Sequence, residues 1–169
     1  MDSYKEQIVK VKPTFATYVC KIMIWVLAVL IGFAGFYFAL QMKFPFLILI
    51  SAAIIYSAYK VNSMLNIEFE YIATNGSVDV DKIINKSSRK RLVSFECNKV
   101  EGVKKYSSDH PKNSGVKTFV CTDDLENAYV FTVSTKEFGK SEVILSPNEN
   151  FINHIKLFIP RSLVSDWWK

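Results

Sequence analysis

The spacing of apolar positions changes character at about residue 66. From Ile22 to Leu40 the chain runs IMIWVLAVLIGFAGFYFAL without an ionised side chain, and Phe44 to Tyr59 (FPFLILISAAIIYSAY) repeats the pattern after a break at Gln41–Lys43. The first run, as a helix, measures roughly 28 Å, close to the hydrocarbon thickness of a bilayer. The second reaches Leu65 if Lys60 turns its ammonium toward the interface. Neither run carries the polar face that a soluble helix of this length needs. A connection this short predicts an antiparallel hairpin over residues 22–65, with Pro45 in the first turn of the second helix.

From Asn66 onward the period falls to two. Ile67, Phe69, Tyr71 and Ala73 alternate with Glu68 and Glu70, and Thr74-Asn75-Gly76-Ser77 supplies a hairpin turn. Similar alternation predicts strands near Val78–Ile84, Val93–Cys97, Val100–Tyr106, Val116–Thr122, Tyr129–Ser134 and Ser141–Leu145. About seven short strands with tight turns indicate an antiparallel sandwich or barrel. Ser146-Pro147-Asn148-Glu149 reads as a capping box with Ser146 as the cap. Phe151, Ile152, Ile155, Phe158 and Ile159 then give a helix one apolar face, and Pro160 is expected to stop it. Residues 66–169 thus form one β domain closed by a C-terminal helix. Residues 1–21 remain as an arm, read either as a short interfacial helix through Tyr4, Ile8, Val11 and Phe15 or as a solvated segment.

Small residues at helical spacing mark how the hairpin would close. Ala28, Gly32, Gly35 and Ala39 on the first helix, and Ala53 and Ser57 on the second, let backbones approach in lipid, where van der Waals packing drives association. Cleavage of the first run as a signal peptide is rejected, because no small-residue site follows it and a second apolar run comes at once.

The net charge of +5 is local. Lys82, Lys86, Arg89, Lys90 and Arg91 lie within one short stretch that holds no acid after Asp81. Beside a membrane, such an excess suggests anionic headgroups rather than nucleic acid. Lysines before the first span and after the second, with Lys43 alone between them, place both termini in the cytoplasm and the chain in the cell membrane as a multi-pass protein. Trp167 and Trp168 are candidates for the headgroup zone. The three cysteines (Cys20, Cys97, Cys121) lack paired spacing and read as reduced thiols. His110 and His154 have no neighbours at metal-ligand spacing, and no nucleophile elbow or phosphate loop is present. No enzyme activity, cofactor or metal is therefore expected.

Seven strands followed by one helix is the order of a pleckstrin-homology-like (PH-like) domain. The stretch from Glu68 to Lys105, with its Tyr71-x-x-Thr74-Asn75-Gly76 strand end and the basic turn after the next strand, resembles the start of bacterial PH-like domains that follow a two-helix membrane hairpin. The whole chain is similar to a family of small, uncharacterised two-span membrane proteins of Gram-positive bacteria. The resemblance implies an α+β membrane protein with an N-terminal transmembrane hairpin and a C-terminal PH-like domain. It says little about activity. Inositide recognition is not carried over, because the loop Thr74–Ser77 has no charge. The expected function is a membrane-anchored, non-enzymatic module that scaffolds or regulates envelope components and contacts anionic lipid. The alternative is an accessory subunit that docks on a membrane-protein partner through its hairpin.

Overall fold

The computed structural model describes residues 3–107, 115–135 and 137–164. The chain divides into two compact units, residues 12–67 and residues 1–11 together with 68–169.

The first unit is the helical hairpin, with α1 spanning Phe15–Met42 and α2 spanning Phe46–Met64. Lys43 ends α1 in the left-handed conformation (φ 54°) and returns its N–H to Ala39 O. Pro45 stands one residue before the helix as its N-cap. On α1 the covered line is Ile24, Ala28, Gly32, Gly35 and Ala39, so the expected small-residue face is the packed one. A methyl group at Gly35 would collide with Ser51 Oγ, and one at Gly32 would lie 3.1 Å from Ile55 Cδ1. Only glycine allows α2 to come this near. The facing line on α2 is Leu47, Ser51, Ile54 and Ala58. Ala53 and Ser57, expected on this seam, are exposed; they lie about a third of a turn away from it, and the Ser57 hydroxyl donates to its own helix at Ala53 O, 2.8 Å. Beyond the seam both helices present apolar side chains, such as Phe33 at 73% and Leu49 at 67% exposure. Both are long and apolar enough to cross a membrane.

Among its described residues the second unit holds eight strands in two four-stranded sheets, ordered β1-β2-β3-β4 and β5-β7-β8-β6. The strands are β1 Tyr4–Lys10, β2 Ile67–Thr74, β3 Ser77–Ile84, β4 Ser88–Glu96, β5 Val100–Lys105, β6 Lys117–Val120, β7 Tyr129–Thr135 and β8 Gly139–Leu145. The seven strands expected after the hairpin each have a counterpart. The eighth, β1, comes before it. Residues 4–10 are thus neither an interfacial helix nor a solvated arm. They pair antiparallel with β2 from Tyr4↔Thr74 to Lys10↔Glu68. Polar contacts hold this strand more than burial does. The Gln7 side chain donates to Ser146 O (3.0 Å) and accepts from Asn148 N–H (2.8 Å). Ser3 and Asn75 exchange two further bonds, each 3.0 Å. A second departure is β6, which pairs parallel to β8 where an antiparallel ladder was expected. The strand order sets β5 and β6 on opposite edges of the sheet, so β6 enters beside β8 and runs in its direction.

The core lies between the sheets and includes Tyr71, Val78, Val80, Phe131, Val133, Val143, Leu145, Phe151 and Ile155, all essentially buried. Tyr71 OH donates to Cys121 O at 2.6 Å and accepts from Ser146 N–H at 3.4 Å, and burial drives its pKa up. Burial also pushes the Cys97 and Cys121 thiols up to about 12, which leaves them inert at neutral pH. The Asn75-Gly76 turn forms as expected, with φ of 48° and 85°. The closing helix α3 spans Glu149–Ile155 and buries Phe151, Ile152 and Ile155. Its cap is Asn148, whose side chain accepts from Phe151 N–H at 2.8 Å, and not Ser146, whose backbone is already engaged with Gln7 and Tyr71. A short helix, α4, follows Pro160 at Arg161–Val164.

Candidate functional site: the basic β3–β4 turn

The basic cluster falls on a β-hairpin whose register pairs Ile84 with Ser88. Asn85 and Lys86 take positive φ (51° and 56°) to make the turn. One residue of β4, Leu92, has no partner, and the register shifts there. The shift leaves Lys82 opposite Lys90 and Asp81 opposite Arg91.

This register splits the five cations by chemistry. Arg91 is held by two carboxylates, with Nε 2.7 Å from Asp81 Oδ1 and Nη1 2.9 Å from Asp79 Oδ2. The hydrogen bond that it donates to Asp81 is the main reason that it keeps its proton more tightly than usual. Arg89 Nη1 lies 3.0 Å from Glu70 Oε2 on β2. Both arginines thus tie strands of the sheet together. Lys82, Lys86 and Lys90 make no ion pair among the described residues. Lys82 is half-buried, and Lys86 and Lys90 are exposed. Of the five residues singled out from sequence, three ammonium groups at one turn are free to meet an external anion.

Strand direction fixes where that turn lies in the sheet. β1 ends, and β2 begins, where the chain leaves for α1 and returns from α2. β3 runs back from the Asn75-Gly76 turn, so Ile84, the basic turn and the start of β4 lie at this same end. Exposed Lys10, the last residue of β1, adds a fourth cation there. The segment 1–21, expected as a separate arm, instead contributes β1 and the start of α1. Strand β1 leaves Tyr4 and Ile8 exposed on its outer face, so no clean alternation marks it.

A cleft of about 360 Å³ opens beside β4, lined by Ser77, Arg91, Phe95, Lys99, Ser134 and Thr135 among others. The Thr135 hydroxyl is engaged with Gly139 O and Phe138 N–H, and Lys99 is paired with Glu96 at 3.0 Å. Among the described residues no three His, Cys, Asp or Glu side chains are placed to hold a metal ion. His154 lies against Ser3 Oγ (3.3 Å). His110, Trp167 and Trp168 fall outside the described residues.

No characterised protein and no solved structure matches the chain. A family model described as Bacterial PH-like domain (DUF6106) matches residues 1–165, from the N-terminal strand through the hairpin to the closing helices, and the chain belongs to that family.

Proposed function

We propose that the protein is a non-enzymatic PH-like module, anchored in the cell membrane by two crossings, that contacts anionic headgroups through Lys82, Lys86 and Lys90 and scaffolds or regulates envelope components. One observation carries this reading: the basic turn shares a sheet end with both connections to the apolar helices. Pairing of β1 with β2 also requires residues 4–10 and 67–74 to be on one side of the bilayer. That fits two crossings, and the flanking lysines assign the shared side to the cytoplasm. Each ammonium near an anionic surface contributes about 1 kcal/mol, so three give about 3 kcal/mol at low salt.

The test uses the full-length chain in nanodiscs, because a fragment starting at residue 66 lacks β1. Amine-reactive labelling of Lys82, Lys86 and Lys90 is compared in anionic and zwitterionic discs. Protection in anionic discs that salt reverses supports the reading. Equal labelling in both overturns the lipid contact. Replacing Lys86 and Lys90 with Gln should weaken the effect without unfolding the sheet, because neither is ion-paired.

A second reading, an accessory subunit docking through the hairpin, draws support from Ala53 and Ser57, small residues that the α1–α2 seam leaves uncovered. Leucine at both positions should then dissociate a complex isolated in mild detergent. A chain that runs as a lone monomer before and after the change counts against it.

A further inference from the structure

We propose that Glu6 on β1 and Glu70 on β2 share one proton beside Arg89, and that this proton sets how firmly β1 is held to the sheet.

The register pairs Glu6 with Ile72 and Ile8 with Glu70, which puts the two glutamates diagonally adjacent on the outer face of the first sheet. That diagonal brings the two carboxyls close enough to influence each other. Although on an outer face, Glu70 is only 1% exposed. Neither of its oxygens receives a well-aligned hydrogen bond. Arg89 Nη1 supplies charge at 3.0 Å from Oε2 without aiming an N–H along the contact. Two ionised carboxylates here would repel each other and leave the buried one without a donor. One proton between them removes the repulsion and supplies that donor.

The other groups facing the pair agree with this assignment. Tyr4 OH, also on β1, donates to Glu6 Oε2, so Glu6 is already built to accept. Asp81 on β3 adds negative charge beside Glu70 but is itself tied to Arg91, which leaves Arg89 to balance the pair. Farther along the same face, Glu68 lies opposite Lys10. Burial, then the contact with Glu6, raises Glu70 above its ordinary value of 4.5. The bonds from Tyr4 and Glu70 hold Glu6 below it. Glu70 is buried without a donor, whereas Glu6 is exposed and already accepts from Tyr4, so the shared proton belongs on Glu70 and is donated to Glu6.

The sign of the pH effect follows. Glu70 has a raised pKa in the fold, so its contribution is complete at low pH and is lost as pH rises through that value. Glu6 has the opposite sign, and its contribution is lost as pH falls through its lowered pKa. The contact is strongest between the two. Above that window two carboxylates compete for Arg89, and β1, an edge strand paired only with β2, is the element that yields. Because β1 leads directly into α1, the proton controls the N-terminal attachment of the hairpin.

The experiment measures amide hydrogen exchange of the full-length chain in nanodiscs, corrected for intrinsic rates, from about pH 5 to about pH 8 and above. Strands β7 and β8 serve as the internal reference. Protection of residues 4–10 should fall on the alkaline side by up to about tenfold per pH unit, the limit for one proton, while the reference stays level. E70Q, which keeps a donor and carries no charge, should make the β1 profile flat and abolish the infrared band of a protonated carboxyl. If E70Q does not fold, E6Q should move the alkaline fall of the β1 profile to lower pH, because burial still raises Glu70 while the contact with Glu6 is gone. The proposal is overturned if β1 tracks the reference strands at every pH, if the pH dependence survives in E70Q, or, where E6Q is the variant that folds, if its profile matches that of the unchanged chain.

Discussion

In the hairpin, the covered part of each helix is a narrow seam, and the small residues on it are defined by what they lack: Gly35 leaves room for Ser51, and Gly32 for Ile55. In the β unit the covered side chains are large, with Tyr71, Phe131, Phe151 and Leu145 filling the space between the sheets. The first arrangement leaves most apolar surface outside, a pattern that suits lipid. The second removes it from water. The comparison teaches that stability in the two units should respond to opposite substitutions: added volume breaks the hairpin, and removed volume breaks the sheets.

The largest effect is expected from Tyr71→Ala. It empties a fully buried site and strands Cys121 O, which the hydroxyl served at 2.6 Å. Loss of about 3–5 kcal/mol is the usual range for truncating a large buried ring. Denaturant unfolding followed by β-sheet circular dichroism measures it, with spin-label distances across α1 and α2 recorded in parallel. If the helix pair separates at the same denaturant concentration as the sheets, the two units are not independent and the comparison fails.

Next is Gly35→Leu, expected to cost about 1–3 kcal/mol by overpacking. The same distances should widen while the β unit unfolds at its usual midpoint. Leucine at Ala53, off the seam, should leave them unchanged. Gly76→Ala probes the β unit by added volume at one special position. Its φ is +85° and the new methyl would lie 2.9 Å from Phe158 Cδ1. A loss of about 1 kcal/mol or more follows from the conformation alone, and a lower melting temperature is the readout.

How far each unit could be read from sequence follows from the same contrast. The hairpin was legible because uncharged runs of this length have few other solutions, and the line through Ala28, Gly32, Gly35 and Ala39 carries its own period. On α2 the period was ambiguous: small residues occur at 51, 52, 53, 57 and 58, and only packing picks Ser51 and Ala58 over Ala53 and Ser57. The central strands β2, β3 and β7 showed clear alternation because one face of each is buried. β1 did not, since its hold comes from backbone pairing and the Gln7 amide, neither of which leaves an apolar pattern. The basic turn was visible as composition, but its division into tied arginines and free lysines depends on register. The shift at Leu92 turns Asp81 toward Arg91, and nothing local in the sequence announces it.

The smallest effect separates two candidate caps, Asn148 and Ser146, that stand two residues apart in the chain. Asn148 Oδ1 accepts from Phe151 N–H, satisfying one of the free donors at the start of α3, so Asn148→Ala should cost about 1 kcal/mol. Ser146 engages its neighbours through its backbone: its carbonyl accepts from Gln7 and its N–H reaches Tyr71 OH. Alanine keeps both groups, and Ser146→Ala should change the melting temperature by little. Because α3 closes the core through Phe151 and Ile155, the Asn148 loss should appear in global unfolding of the β unit and leave the helix pair untouched. Equal losses at the two positions would mean that the serine hydroxyl also serves the helix start, and that the capping box expected from Ser146 to Glu149 operates after all.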